Sequence, residues 1–210
     1  SALIWTTTPW TIPSNLALAF HPEARYGAYA VDGRVVIVAE SLADRLSTEL
    51  GRPFERPLAT TTGSAFEHLR FLHPLYGRDS LGVVAEYVTL DTGTGVVHTA
   101  PGHGSDDFHT GVRYGLEIYA PVAGDGRFSE AVERFAGLTV FEANPIVERA
   151  LAEAGRLWKA ERFDHSYPHC WRCHNPVIFL ATSQWFIGMD DTGLRAKAAA
   201  ETGTVQWVPA

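Results

Sequence analysis

The chain has 210 residues, 46% apolar and 20% charged, which supports a packed core and excludes a disordered, charge-rich segment. Lysine and arginine number 17 against 24 aspartates and glutamates, for a net charge of −7, so the balance argues against a stand-alone basic nucleic-acid binder. No apolar run reaches the ~18 residues of a membrane span, and two cysteines are too few for a disulfide framework and fit a reducing, cytoplasmic setting. The opening residues Ser1, Ala2, Leu3, Ile4 and Trp5 lack a basic region and a cleavage pattern, so they read as no signal peptide but as a strand-like run within a longer chain.

Residues 3–8 (LIWTTT) are β-branched and aromatic and predict a strand, which Pro9 and Pro13 turn into an irregular loop. Residues 26–31 and 34–39 predict two strands around the hairpin pair Asp32 and Gly33. Ser41 predicts the cap of a short helix over 42–50 that stops at Gly51. Residues 52–80 carry no clear period. Residues 83–90 predict a strand, and Gly93, Thr94 and Gly95 a tight turn into a strand over 96–99. After the loop 100–104, Ser105 predicts the cap of a helix to about Tyr114 with Asp106 and Asp107 in its first turn. Residues 124–126 predict a turn, 142–154 an amphipathic helix with Ile146, Val147 and Leu151 near one face, and 156–163 a strand. Beyond about residue 160 the texture changes to aromatics, His and Cys, then to an unpartnered apolar run over 177–187. The expectation is a mixed α/β, β-rich, barrel-like domain over 1–160 with a few peripheral helices, followed by a return segment over 161–210.

Three constellations carry chemistry. In Trp5-Thr6-Thr7-Thr8-Pro9-Trp10-Thr11-Ile12-Pro13-Ser14-Asn15, a strand end presents hydroxyls in a loop that proline stiffens, which lowers the ordering cost of binding a polar ligand. A plain strand end followed by a proline turn fits the same residues. In the second, residues 93–107 place glycines, two histidines (His98, His103) and two aspartates (Asp106, Asp107) close together ahead of a helix. A metal site, an acid–base group, or acids that simply favour a helix N-terminus all fit. The third, residues 165–174, holds Cys170 and Cys173 at C-x-x-C spacing with His165, His169 and His174 nearby. Flanking prolines and the lack of a βαβ unit disfavour a redox pair. A complete zinc site and half of a four-cysteine site remain, and the second accounts best for two cysteines. There is no G-x-S-x-G, P-loop or H-E-x-x-H motif.

WTTTPWTIPSN, followed about eighty residues on by GTGVVHTAPGHGSDDF, resembles the class I isoleucyl-tRNA synthetases, in the editing domain inserted within their connective polypeptide. The related valyl and leucyl enzymes carry a TTRP-type loop, and Thr8 stands where they have Arg. The tail HSYPHCWRC with ATSQWF resembles the stretch leading back to the catalytic domain, and the resemblance covers nearly the whole chain. No HIGH-type or KMSKS-type signature is present, so ATP binding and amino-acid activation are not expected of this piece. The family's second C-x-x-C lies upstream, so zinc is expected only with the rest of the parent enzyme, and editing needs no cofactor.

The resemblance implies hydrolysis of mischarged tRNA: release of valine from the 3′ end of isoleucine tRNA, with the rest of the synthetase as the other partner and no membrane. A hydrophobic pocket separates ligands one methylene apart only weakly, a limit for which isoleucine against valine on this very enzyme type is the standard worked case, and a second, smaller site removes what fits it. By the resemblance, Asp107 pairs with the substrate α-ammonium, Thr7 and Thr8 line the hydrolytic centre with Thr6 and Thr11 beside them, and His98 borders the side-chain pocket. Asn15, Gly102 and His103 complete the substrate-binding set, with His98 and His103 the candidates for a base. A non-catalytic aminoacyl-tRNA-binding fragment and a free-standing trans-editing deacylase are the alternatives. Because phosphate contacts from Lys and Arg supply most non-specific affinity, the isolated chain at −7 should bind uncharged tRNA with a Kd of about 1 µM or weaker at physiological salt. Fluorescence anisotropy checks this, and tighter binding would reveal a basic surface built by folding.

Overall fold

Asp32 and Gly33 both take positive φ, 48° and 73°, the geometry of a two-residue hairpin whose twist matches its strands. They join β2 (Arg25–Val31) to β3 (Arg34–Ala39) in the predicted register, Val31 opposite Arg34. The computed structural model describes residues 1–162, 164 and 166–208. β4 (Ala59–Thr62) pairs with the other edge of β2, giving a three-stranded antiparallel sheet ordered β3-β2-β4. A four-stranded sheet ordered β5-β6-β1-β7 forms from β1 (Ala17–Phe20), β5 (Arg70–Leu72), β6 (Asp79–Val84) and β7 (Val96–Thr99). Within it β1 runs parallel to β6 and antiparallel to β7.

The two sheets share one core. Phe20 and Val96 from the larger sheet pack in one cluster with Tyr26, Tyr29, Val31, Val36 and Val38 from the smaller, and Phe20 stacks on Phe66 with ring centroids 4.5 Å apart. The sheets are stitched along one side, where Ala39 N–H donates to the Thr94 carbonyl (2.9 Å) and the Tyr26 hydroxyl to the Gly95 carbonyl (2.6 Å). This is the mixed, β-rich, barrel-like arrangement expected. Gly82 permits the close pass of β6, since a Cβ there would stand 2.1 Å from the Phe66 carbonyl oxygen.

The helices are α1 (Ala43–Leu50), α2 (Ser105–Tyr114), α3 (Val140–Glu153) and α4 (Leu194–Glu201). Among the described residues none is long and apolar enough to cross a membrane. A second core cluster packs α3, through Val140, Ala143, Val147 and Ala150, against Trp10 and Ile12 of a 3₁₀ turn over Pro9–Ser14. Asn144 of α3 also accepts the Trp10 N–H at 2.9 Å, so α3 is the buttress of the threonine loop. Ile178 and Leu180 pack on the same cluster, while Trp185, Phe186 and Ile187 are exposed and α4 buries nothing.

Several local expectations shift. Residues 3–8 form no strand. Only Ala2 bridges Ile37, and the threonines turn inward, Thr6 Oγ1 accepting Thr8 N–H (3.0 Å) and Thr11 Oγ1 donating to the Thr8 carbonyl (2.8 Å). Side-chain bonds to neighbouring backbone thus replace a ladder. The strand expected over 83–90 lies at Asp79–Val84, because the ladder ends where Ala85 N–H meets the Phe20 carbonyl. β1, β4 and β5 are too short to leave a period. Neither Ser41 nor Ser105 caps: α1 follows a 3₁₀ turn over Glu40–Leu42, and Gly104 is the cap residue of α2. The stop at Gly51 is as expected, left-handed at φ 62°. α3 starts two residues early, where Thr139 and Glu142 form a reciprocal capping box. No strand covers the described residues of 156–163; Phe163 lies outside them. Thr139→Ala removes the acceptor for Glu142 N–H and should cost about 1 kcal/mol in urea unfolding, with no loss from Glu148→Ala, whose side chain has no such partner.

Candidate active site

The threonine loop, β7 and the start of α2 converge on one open cavity of about 320 Å³. Thr6, Thr7, Thr8 and Thr11 line one side and His98, His103 and Asp107 the other. Residues eighty or more apart in sequence therefore share one cavity, because β7 pairs with β1 directly after the threonine loop, Thr99 opposite Ala17. Thr89, Thr92 and Thr94 complete the rim. Thr89 and Thr92 were not singled out from sequence, and the signal was only the density of threonine around the glycine turn. Asn15 and Gly102 are not in the lining. Asn15 is 2% exposed and lies behind His98, and a Cβ at Gly102 would sit 2.5 Å from the Tyr119 carbonyl oxygen, which makes that glycine a packing requirement. A second open cavity of about 310 Å³ lies against Thr7 and Thr8 as well, walled by Trp10, Phe141, Asn144 and Tyr167.

The hydrogen bonds assign the His98 tautomer. Thr11 Oγ1 spends its proton on the Thr8 carbonyl, so at 2.9 Å it accepts from His98 Nε2–H. His98 Nδ1 is then the acceptor, facing the Asn15 amide nitrogen at 3.4 Å. Burial pushes its pKa down to about 4, with His73 and His103 adding to the shift. A neutral imidazole with both nitrogens engaged is a fixed wall and a poor base. His103 is also buried and lowered by burial. Its Nδ1 faces the Phe179 carbonyl at 3.2 Å, its Nε2 has no partner among the described residues, and its ring meets Trp10 edge-on at 4.9 Å. The segment after residue 160 thus supports the site directly, since Ala181 N–H also donates to the Gly102 carbonyl at 2.8 Å.

Asp107 and Asp106 differ as helical geometry requires, neighbours pointing about 100° apart. Asp106 is exposed, whereas Asp107 is partly buried and lines the cavity. Asp107 Oδ2 accepts Ala100 N–H at 2.8 Å, and among the described residues no cation pairs with it. Burial pushes its pKa up to about 6, against the Ala100 bond that lowers it. The Thr7 hydroxyl likewise has no protein partner among the described residues. The cavity therefore offers an unneutralised carboxylate and a free hydroxyl.

Cys170 and Cys173 lie far along the chain in a tight knuckle. Cys170 N–H donates to the Asn175 carbonyl and His174 N–H to the Cys170 carbonyl, both at 2.8 Å. Backbone N–H groups of Cys173 and Arg172 lower the Cys170 thiol. Among the described residues no three His, Cys, Asp or Glu stand together as a metal set, so two thiols remain half of a tetrahedral donor set. His165 lies outside the described residues.

No protein-family model matches the chain. Its fold is similar to a crystal structure named GlLeuRS-CP1 (TM-score 0.59, 18% identity, 77% of this chain and 84% of that one). It is similar as well to the editing domain of the Plasmodium knowlesi cytosolic leucyl-tRNA synthetase (TM-score 0.55, 12% identity, 73% and 81%). The architecture is that of a class I synthetase editing domain. In sequence the chain is 50% identical over 209 residues to isoleucine–tRNA ligase of Nitratidesulfovibrio vulgaris strain Miyazaki F, covering 99% of this chain and 22% of that protein. It is 49% identical over 209 residues to the ligase of Geobacter sulfurreducens (100% and 22%) and 47% over 209 to that of Syntrophotalea carbinolica (100% and 22%). Nearly all of the chain thus aligns with a segment of isoleucine–tRNA ligases that makes up about a fifth of their length.

The raised Asp107 pKa fixes the sign of a stability effect. The folded state holds this proton more tightly than the unfolded chain, so stability from this group declines as pH rises from about 4, the ordinary carboxylate value, through about 6. Asp107→Asn should therefore stabilise the chain on the order of 1–2 kcal/mol at pH 7.5 and leave it unchanged at pH 4. Urea unfolding of both proteins at the two pH values checks this.

Proposed function

We propose that the chain is the hydrolytic editing unit of an isoleucine–tRNA ligase and releases valine esterified to the 3′-terminal adenosine of isoleucine tRNA. The observation that carries the reading is Asp107, a partly buried carboxylate held by backbone donors with no cation beside it among the described residues, at the wall of a threonine-lined cavity. Every aminoacyl ester brings an α-ammonium, and that charge is the missing partner. Pairing the two also lowers the Asp107 pKa back toward the carboxylate range, so binding is favoured above about pH 6, where Asp107 is ionised.

In this reading Asp107 anchors the ammonium and His98 limits the side-chain space. Thr7 and Thr8, with Thr6 and Thr11 behind them, orient a water toward the ester carbonyl. The water oxygen bonds to the carbonyl carbon, the carbon–ribose oxygen bond breaks, and the ribose oxygen takes up a proton. An ester needs no covalent nucleophile for this, and positioning with hydrogen-bond donors supplies the rate. The partners are the 3′ end of the charged tRNA and the remainder of the synthetase chain, and the hydrolysis itself uses no metal.

Asp107→Ala leaves the ammonium unpaired in a partly desolvated site, a loss on the order of 3–5 kcal/mol, or about two to four decades in deacylation kcat/KM. Asp107→Asn should fail nearly as far, whereas exposed Asp106→Ala should lose less than about threefold. The measurement is valine release from valyl-tRNA of the isoleucine tRNA by the full-length protein, with aminoacylation as the folding control. Near-normal release by Asp107→Ala would falsify the assignment, and tRNA binding without release by the unaltered protein would favour a non-catalytic module.

A further inference from the structure

The sequence motifs end at Asn15 and resume at Gly93, yet the buried hydrogen bonds behind the cavity run through a residue outside both. Ser80 of β6 is 2% exposed, and its hydroxyl donates to Asn15 Oδ1. The parallel pairing of β6 with β1, Leu81 opposite Ala17 and Leu81 N–H on the Leu16 carbonyl at 2.9 Å, brings it there. With Oδ1 committed to Ser80, the Asn15 amide nitrogen must face the other way. It donates to the Ala17 carbonyl at 2.8 Å and points its remaining proton at His98 Nδ1, 3.4 Å away. His98 then carries its proton on Nε2, which holds Thr11 at 2.9 Å, and Thr11 in turn holds the Thr8 carbonyl at 2.8 Å. Every donor in this row has one acceptor, and Ser80, Asn15 and His98 are all buried.

We propose that Ser80 is a positioning residue for substrate size selection. By orienting the Asn15 amide it fixes the tautomer and tilt of His98, the wall that admits valine and excludes isoleucine. The proposal rests on the editing reading above and adds to it a residue that touches no substrate. Without the Ser80 hydroxyl, Asn15 Oδ1 is a buried acceptor with no partner. The amide relieves this by turning or by drawing in water, and the His98 ring loses its support at Nδ1. The pocket wall then yields to the larger side chain.

The test compares full-length protein with Ser80→Ala, Ser80→Cys and His98→Ala, measuring amino-acid release from valyl-tRNA and isoleucyl-tRNA made on the same isoleucine tRNA. The readout is the ratio of the two kcat/KM values, which a general loss of folding does not move. Ser80→Ala should lower that ratio at least tenfold by raising release of isoleucine, in the direction of His98→Ala. Ser80→Cys, which keeps a weak donor in nearly the same volume, should lie closer to the unaltered protein. An unchanged ratio in Ser80→Ala, or equal losses on both esters, overturns the proposal while the editing reading stands. An unchanged ratio in His98→Ala overturns the wall and the relay together, and an unaltered protein that releases no valine overturns the reading itself. If Ser80→Ala does not fold, Asn15→Asp carries the test, because it keeps an acceptor for Ser80 and removes the donor to His98. A relaxed ratio there supports the relay, and an unrelaxed one ends it.

Discussion

The hydrogen bond from His98 to Thr11 joins residues 87 apart in sequence across 2.9 Å, and the geometry of the cavity follows from it. It binds the threonine loop to β7, and the loop cannot move without breaking a buried, charge-free contact. Burial keeps the imidazole neutral, so it serves as a donor of fixed direction at any physiological pH. Around this bond the loop is locked from outside by other groups. The Arg78 guanidinium holds the Pro13 and Asn15 carbonyls and lies over the rings of Tyr76 and Tyr119, at 5.2 and 5.3 Å. Asn144 holds Trp10 from the α3 side. Such a site loses little freedom when a ligand arrives, which is what preorganisation requires.

Against this rigid frame stands one unbalanced charge. A partly buried carboxylate without a cation among the described residues lowers the stability of the empty protein, although it does accept the Ala100 N–H. Its neighbour Asp106 can satisfy the helix N-terminus from the exposed face. Under the proposed function, the arrangement is stored affinity for a cationic ligand, recovered when the ligand binds. Its burial-raised pKa separates Asp107 from the other acidic residues of a strongly acidic chain.

The net charge of −7 and the support of His103 by Phe179 set the surroundings of the cavity. A chain so acidic has little long-range attraction of its own for a polyanion such as RNA. The chain after residue 160, meanwhile, reaches Gly102 and His103 through two hydrogen bonds. It thereby braces His103, which lines the cavity.

Much of the site was legible in the sequence because its chemistry sits in two contiguous loops. The WTTTP loop, His98 and Asp107 could be picked out as polar groups on glycine- and proline-shaped backbone, and the hairpin at Asp32-Gly33 and the amphipathic period of α3 are local properties that short-range sterics and burial patterns encode. The strand expected at residues 3–8 failed for an equally local reason, since threonine hydroxyls compete with the ladder for backbone bonds. Other features were settled only by tertiary structure. β1, β4 and β5 are three or four residues long and exist through pairing with distant partners, so no window of sequence contains their cause. Asn15 and Gly102 were expected among the substrate contacts and are absent from the cavity's lining, because only the packed arrangement decides which side of a loop faces the space. The bond from Ser80 to Asn15 has no signature at all in sequence. It depends on the parallel register of β6 against β1, a long-range choice that chain order alone does not specify.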